Sequence, residues 1–303
     1  MHHIMIFLDG IGLGQNNPER NPFAIIDAPT LHSLSGGHRW LADTPRIESD
    51  RAIFIPTDAH FGIEGRPQSA TGHAVILTGR NVPAEIGKHY GPKPTPEIRA
   101  ILDEDNLFKR VVQSGKSATL ITPYPPQFFA GINSGRRLPS SIQYAVLSAG
   151  LTLRTEDDYY ARKAISPDFT GIGWTTFLGY HDAPTYSPQA AGHQLATIAR
   201  QQHLTFFSTW ISDEIGHRGP MARGVEFMET FDGFMQGLLD NWNDNDGLIV
   251  IFSDHGNLEV QGDRRHSENK VPTVVIGEQR HDFASGYRSL LDITPAMSRI
   301  MGL

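Results

Sequence analysis

Apolar residues fall in short blocks separated by polar, Gly- and Pro-rich stretches. Blocks at 4–8, 51–56, 118–124, 204–211, 248–252 and 271–276 are near-continuous and only a few residues long. That pattern predicts strands buried on both faces. Between them the apolar spacing turns helical. It predicts helices at Ser69–Thr78, 95–114, 188–201, 225–242 and 290–301, with a partial helix at 24–34 interrupted by Pro29. The alternation implies an α/β fold: a doubly wound, mostly parallel sheet with helices on both faces. Residues from about 125 to 185 break the rhythm, being rich in Gly, Pro, Ser, Arg and Tyr. They are expected to form an insertion or small cap over a single core spanning 1–303.

Composition narrows the field. A chain of 303 residues with 39% hydrophobic and 19% charged positions can bury a substantial core. No apolar run approaches the ~20 residues of a bilayer span, and no basic leader precedes the first strand, so a cytoplasmic protein without membrane contact is expected. The formal charge of −7 argues against nucleic acid as a partner. With no cysteine and 14 histidines, any metal site must use nitrogen and oxygen ligands.

Three predicted strands run into a carboxylate: Asp9, Asp213 and Asp254. One Asp after a strand is commonly a turn residue. In an open α/β sheet, however, ligands bind beyond the carboxyl ends of the strands, so these acids should converge. His217 follows Asp213 by four positions, His255 adjoins Asp254, and His266 precedes the strand at 271–276. Carboxylate plus imidazole suits Zn or Mn. Six such groups exceed one four-coordinate ion and suit two divalent ions, as in phosphoryl-transfer enzymes. Such a pair would outweigh three carboxylates and attract a small phosphorylated substrate. A hydroxyl at the start of the helix near residue 69 would face that site, with Ser69 and Thr71 as the candidates.

Leu8-Asp9-Gly10, the Ser69 to Thr78-Gly79 segment, Asp213-x-x-Gly216-His217, Ser253-Asp254-His255-Gly256-Asn257, and His266 ahead of Val271-Pro272 occur in that order. Together they resemble the alkaline phosphatase superfamily, in particular its metalloenzyme branch of cofactor-independent phosphoglycerate mutase and phosphopentomutase. The resemblance covers roughly 1–125 and 200–303. It implies an alkaline phosphatase-like core and one ion held by Asp9, Ser69, Asp254 and His255. It implies a second ion held by Asp213, His217 and His266. It also implies Ser69 as the nucleophile forming a phosphoserine intermediate, ahead of Thr71. Ser69-Ala70-Thr71 lacks the sulfatase pattern. The mutases carry a large cap that keeps water off the phosphoenzyme; only about 60 residues are available here, which favours a phosphatase or phosphodiesterase over a phosphomutase. Arg66, Arg80 and Asn81 are expected near the substrate, with Lys88, His89, Tyr124, Arg136-Arg137 and His181-Asp182 as further rim residues. Two other classes are a catalytically inactive metal-binding interaction module and a nucleotide-binding protein using Gly10-Ile11-Gly12-Leu13-Gly14. The sequence leaves the oligomeric state open.

Overall fold

The computed structural model describes residues 1–303. Nine strands form: β1 His3–Leu8, β2 Ile47–Glu48, β3 Ala52–Thr57, β4 Ala118–Leu120, β5 Pro123–Tyr124, β6 Arg154–Thr155, β7 Leu204–Thr209, β8 Ile249–Phe252 and β9 Val271–Ile276. Seven of them make one sheet in the order β2-β3-β9-β8-β1-β7-β4, and β5 pairs with β6 separately. Pairs β1/β7, β1/β8 and β4/β7 are parallel, whereas β8/β9, β3/β9 and β2/β3 are antiparallel. The sheet is mixed but mostly parallel, because β1, β3, β4, β7 and β8 share one direction.

Alternation along the strands divides the core. Met5 and Phe7 of β1 and Val250 and Phe252 of β8 face one apolar layer; Ile4, Ile6, Leu8, Ile249 and Ile251 face the other. Helices Ser69–Thr78, Pro96–Glu104, Leu107–Gln113, Ser141–Ser148 and Ile293–Met301 cover the first layer. Helices Pro29–Leu34, Pro188–Ala199 and Met221–Asp240 cover the second. The layers contain 41 and 37 buried apolar residues, so neither face of the sheet is left to water. No helix is long and apolar enough to cross a membrane.

Several predicted boundaries move for local reasons. The helix expected at 95–114 is two helices, because Asn106 leaves helical geometry and its side chain accepts a bond from Lys109 N at 3.1 Å, starting the second. Pro29 sits in the first turn of its helix and opens it rather than interrupting it. The strand expected at 204–211 stops at Thr209, and Asp213 enters helix Ile211–Arg218. The stretch 125–185 packs onto the core at several points. Helix Ser141–Ser148 packs in the first apolar layer, and Ile165 and Phe169 reach the second. Only a small cluster around Tyr159, Ala164, Trp174 and Ala183 stands apart.

Candidate active site

β8, β1 and β7 lie side by side, and the chain leaving their carboxyl ends delivers the three acids to one place. Asp9 directly follows β1, Asp254 comes two residues after β8, and Asp213 sits in the first turn of the helix after β7. On that helix His217 lies four residues beyond Asp213, one turn along the same face, with Nε2 3.4 Å from Asp213 Oδ2.

The loop after β1 turns at Gly10, whose φ is +72°. An added Cβ there would lie 2.7 Å from Asp213 Oδ1 and 2.9 Å from Asp213 Cβ. The turn is thus both left-handed and pressed against the neighbouring acid. Gly10→Ala is expected to cost about 1–3 kcal/mol in backbone strain alone, and to push Asp213 outward. Urea denaturation together with metal stoichiometry would show both losses; an unchanged midpoint would refute the packing argument.

Two groups of donor atoms form. In one, Asp213, His217 and His266 bring their ligand atoms within 4.8 Å of one another. His217 Nδ1 donates to Arg264 O at 2.9 Å and His266 Nδ1 donates to Pro67 O at 2.8 Å. With both Nδ1–H groups committed, each neutral ring presents Nε2 as a lone pair. These two nitrogens face each other at 3.3 Å, and His266 Nε2 is 3.7 Å from Asp213 Oδ1. Two imidazole nitrogens and a carboxylate converge, a donor set that suits a cation; Asp213 meanwhile raises the pKa of His217. Asn257 Nδ2 donates to Asp213 Oδ1 at 2.7 Å and fixes that carboxylate.

The other group surrounds His255. Its Nε2 lies 3.0 Å from Ser69 Oγ, 3.2 Å from Asp254 Oδ2 and 3.4 Å from Asp9 Oδ1. The structure therefore draws together Asp9, Ser69, Asp254 and His255. It adds His73, whose Nε2 is 3.2 Å from Asp254 Oδ2 and 3.7 Å from Asp9 Oδ2. Asp9 Oδ1, Asp254 Oδ2, His255 Nδ1 and both His73 nitrogens are buried without a hydrogen-bond partner, which is costly unless an ion or proton satisfies them. Burial, then the charges of Asp254 and Asp213, push the Asp9 carboxyl well above its ordinary range. Burial also opposes charge on His73, but Asp254 and Asp9 overcome it and raise the ring to about 9. Burial lowers His255 to about 4. Against the effect of burial, the neighbouring imidazoles hold Asp254 and Asp213 below the ordinary carboxylate range, while Asp9 is kept from ionising beside them; a divalent cation would relieve that crowding.

Ser69 opens helix Ser69–Thr78 and lines a cavity of about 880 Å³ together with Asp9, His73, Asp213 and His217. Thr71 does not face that cavity. Its hydroxyl donates to Gln68 O at 3.0 Å and accepts from Tyr90 N at 3.1 Å, tying down a neighbouring loop. Arg66, Arg80 and Asn81 are likewise not on the cavity wall. Arg66 donates to His266 O at 2.5 Å. Arg80 is held by Glu85 and Glu104, and Asn81 caps the next short helix and donates to Phe61 O at 3.0 Å. Lys93, Arg137, Arg218 and Arg264 supply the cavity's positive charge instead, and Tyr124, Phe128 and Trp210 its aromatic wall. Of the rim residues expected from sequence, Tyr124 and Arg137 are there; Lys88, His89, Arg136, His181 and Asp182 are not.

Residues 179–303 match the Metalloenzyme superfamily. The 2,3-bisphosphoglycerate-independent phosphoglycerate mutase of Legionella pneumophila (strain Paris) is 28% identical over 129 residues, 38% of this chain and 25% of that protein. The match thus spans about a quarter of the length of such curated relatives. Among solved structures, alkaline phosphatase from the Antarctic bacterium TAB5 superposes with a TM-score of 0.56 at 12% identity, covering 99% of this chain and 97% of that one. The Leishmania mexicana phosphoglycerate mutase gives 0.50 at 10% identity, covering 100% and 95%. The chain has an alkaline phosphatase-like fold. Residues 179–303, which hold Trp210, Asp213, His217, Asp254, His255 and His266, carry the family match, while Asp9, the Ser69 helix, Tyr124 and Phe128 lie in the part that matches by fold.

Proposed function

We propose that the protein is a metal-dependent phosphoryl-transfer enzyme with two divalent ions, Mn or Zn, per chain, acting on a small phosphate ester as a phosphatase or phosphodiesterase. The observation that carries this reading is the Ser69 hydroxyl, set at a helix start within 3.0 Å of His255 and inside a cluster of unpartnered buried acceptors. Asp9, Asp254 and His255, with Ser69, would hold one ion, and Asp213, His217 and His266 the other. Bound there, the ions supply Lewis-acid charge that makes the serine hydroxyl more acidic and balances the phosphate oxygens.

The chain's own groups do the rest. The start of helix Ser69–Thr78 and the cationic rim favour an anion in front of Ser69. Ser69 Oγ forms a bond to phosphorus as the opposite P–O bond of the ester breaks, and the leaving oxygen takes up a proton. Water then attacks the phosphoserine, releases phosphate and restores Ser69. Arg137, Ser140, Ile142, Gln143 and Leu178 of the 125–185 stretch line the cavity, but Glu214 and Arg218 on another part of the rim are exposed to solvent. That leaves water an approach to the phosphoserine and favours hydrolysis.

A phosphomutase, in which a second hydroxyl of the substrate takes the phosphoryl group back, is the other reading; the mutase relatives favour it. Following phosphate release against intramolecular transfer, with the same esters, separates the two. Chelation is expected to remove activity completely and lower the melting temperature, because a ligand present at a hundred times its Kd contributes about 2.7 kcal/mol to the folded state. Mn or Zn should restore both. Full turnover in the chelated protein would overturn the assignment.

A further inference from the structure

The cavity is far more aromatic and more cationic than a phosphoryl group alone requires. Tyr124 stacks on Phe128 with centroids 4.3 Å apart, and on Trp210 at 6.1 Å with planes only 12° apart. Tyr124 and Phe128 are buried, whereas Trp210 is 39% exposed although it lines the cavity. Three rings thus form a graded shelf whose outer member is partly open to solvent. Leu178, also on the cavity wall, is 46% exposed and continues the apolar surface outward. Beside the shelf, Arg137 lies over the Phe128 ring at 5.2 Å. Lys93, Arg137, Arg218 and Arg264 line the cavity and form no ion pair, with Glu214 on the same wall beside the metal-site acids Asp9 and Asp213. Free cations suit phosphate oxygens, and a supported Trp face suits a flat ring.

From this arrangement we propose that the preferred substrate is a phosphate monoester of a primary alcohol carrying a flat ring system, of nucleoside size. Ser69 would meet the phosphorus while the ring stacks on Trp210. The proposal rests on the phosphoryl-transfer reading above and specifies its leaving group. The Tyr124–Phe128 pair backs Trp210, so the shelf is rigid before the substrate arrives. A short polar ester such as glycerol phosphate would leave the shelf wet and gain nothing from it.

The test compares kcat/KM of the metal-loaded enzyme for adenosine 5′-monophosphate, benzyl phosphate, glycerol 3-phosphate, 3-phosphoglycerate and decyl phosphate. All five release a primary alcohol, so differences among them report binding more than intrinsic reactivity. Adenosine 5′-monophosphate and benzyl phosphate should exceed glycerol 3-phosphate by about tenfold to a hundredfold, the range that stacking of a base on an aromatic side chain supplies. Trp210→Ala should erase most of that preference. In a binding arm independent of turnover, Ser69→Ala protein should show indole fluorescence quenching by adenosine 5′-monophosphate, and Ser69→Ala with Trp210→Phe should lose it. Equal rates for all esters without quenching overturn the ring proposal and leave phosphoryl transfer standing. So does a preference for 3-phosphoglycerate, and a preference for decyl phosphate assigns the shelf to an alkyl chain instead. Quenching with no ester turned over upholds the ring site and removes the phosphoryl-transfer reading.

Discussion

Ser69→Ala is expected to lower kcat on any accepted phosphate ester by at least about 10³-fold, equivalent to roughly 4 kcal/mol of barrier. The hydroxyl is the only side-chain nucleophile at the start of that helix that faces the cavity, since Thr71 is spent on backbone bonds. Removing it deletes the bond-forming atom, whereas the ring and carboxylates around it stay. The substitution also removes little packing: Ser69 is small, and helix Ser69–Thr78 is buried along its whole length and held by its other side chains. The fold should therefore survive, and Asp9, Asp254 and His255 remain to hold the ion that loses the Ser69 hydroxyl, so an ion retained with weakened affinity beside lost turnover is diagnostic. Mass spectrometry of wild-type enzyme quenched during turnover should find phosphate on Ser69. Wild-type rates in the variant, or phosphate on Thr71, would defeat the assignment.

The parts of the site that sequence alone exposes are those fixed by topology. An acid at the end of a buried strand has its position set by the sheet, so Asp9, Asp213 and Asp254 converge because β8, β1 and β7 are neighbours. His217 and His255 follow at short spacings from those acids. His73 is not one of the groups that follow a strand-end acid, but the sequence carries its signal: it stands four residues after Ser69, and on a helix that spacing places the two on one face. Arg80 and Asn81 illustrate the opposite error. They adjoin the Ser69 segment in sequence, but the 10-residue helix separates them from it by about 15 Å at 1.5 Å per residue. The cavity's cations come instead from four separate segments, at Lys93, Arg137, Arg218 and Arg264. No local pattern links them; only the folded loops bring them together. The same holds for 125–185, whose composition signals loops but not the apolar face of helix Ser141–Ser148 that joins the core.

Glu259→Ala is expected to dismantle the metal centre although Glu259 touches none of the proposed ions. Its side chain is only 2% exposed. It accepts from Gly12 N at 3.0 Å, Asn257 N at 2.8 Å and Asn269 Nδ2 at 3.0 Å, and from the Ser267 hydroxyl. Those donors belong to the loop after Asp9, the loop after Asp254-His255 and the loop that carries His266. One carboxyl group thus clamps three loops that carry proposed ligands, the first of them far from the others in sequence. The packing is tight: a Cβ at Gly12 or Gly256 would collide with the Glu259 carboxyl group. Alanine would orphan several buried donors at about 1–3 kcal/mol each, a large fraction of a domain's 5–15 kcal/mol. Glu259→Gln is the sharper test. Gly12 N and Asn257 N share one oxygen, while Ser267 and Asn269 share the other. An amide therefore keeps one pair and turns an NH₂ toward the other. Loss of such a supporting contact typically weakens metal affinity about 10- to 100-fold, and that drop is expected here while the fold persists. Calorimetric titration with Mn or Zn, alongside circular dichroism, measures both quantities. Unchanged affinity in the glutamine variant would show that the three loops hold their ligands without the clamp.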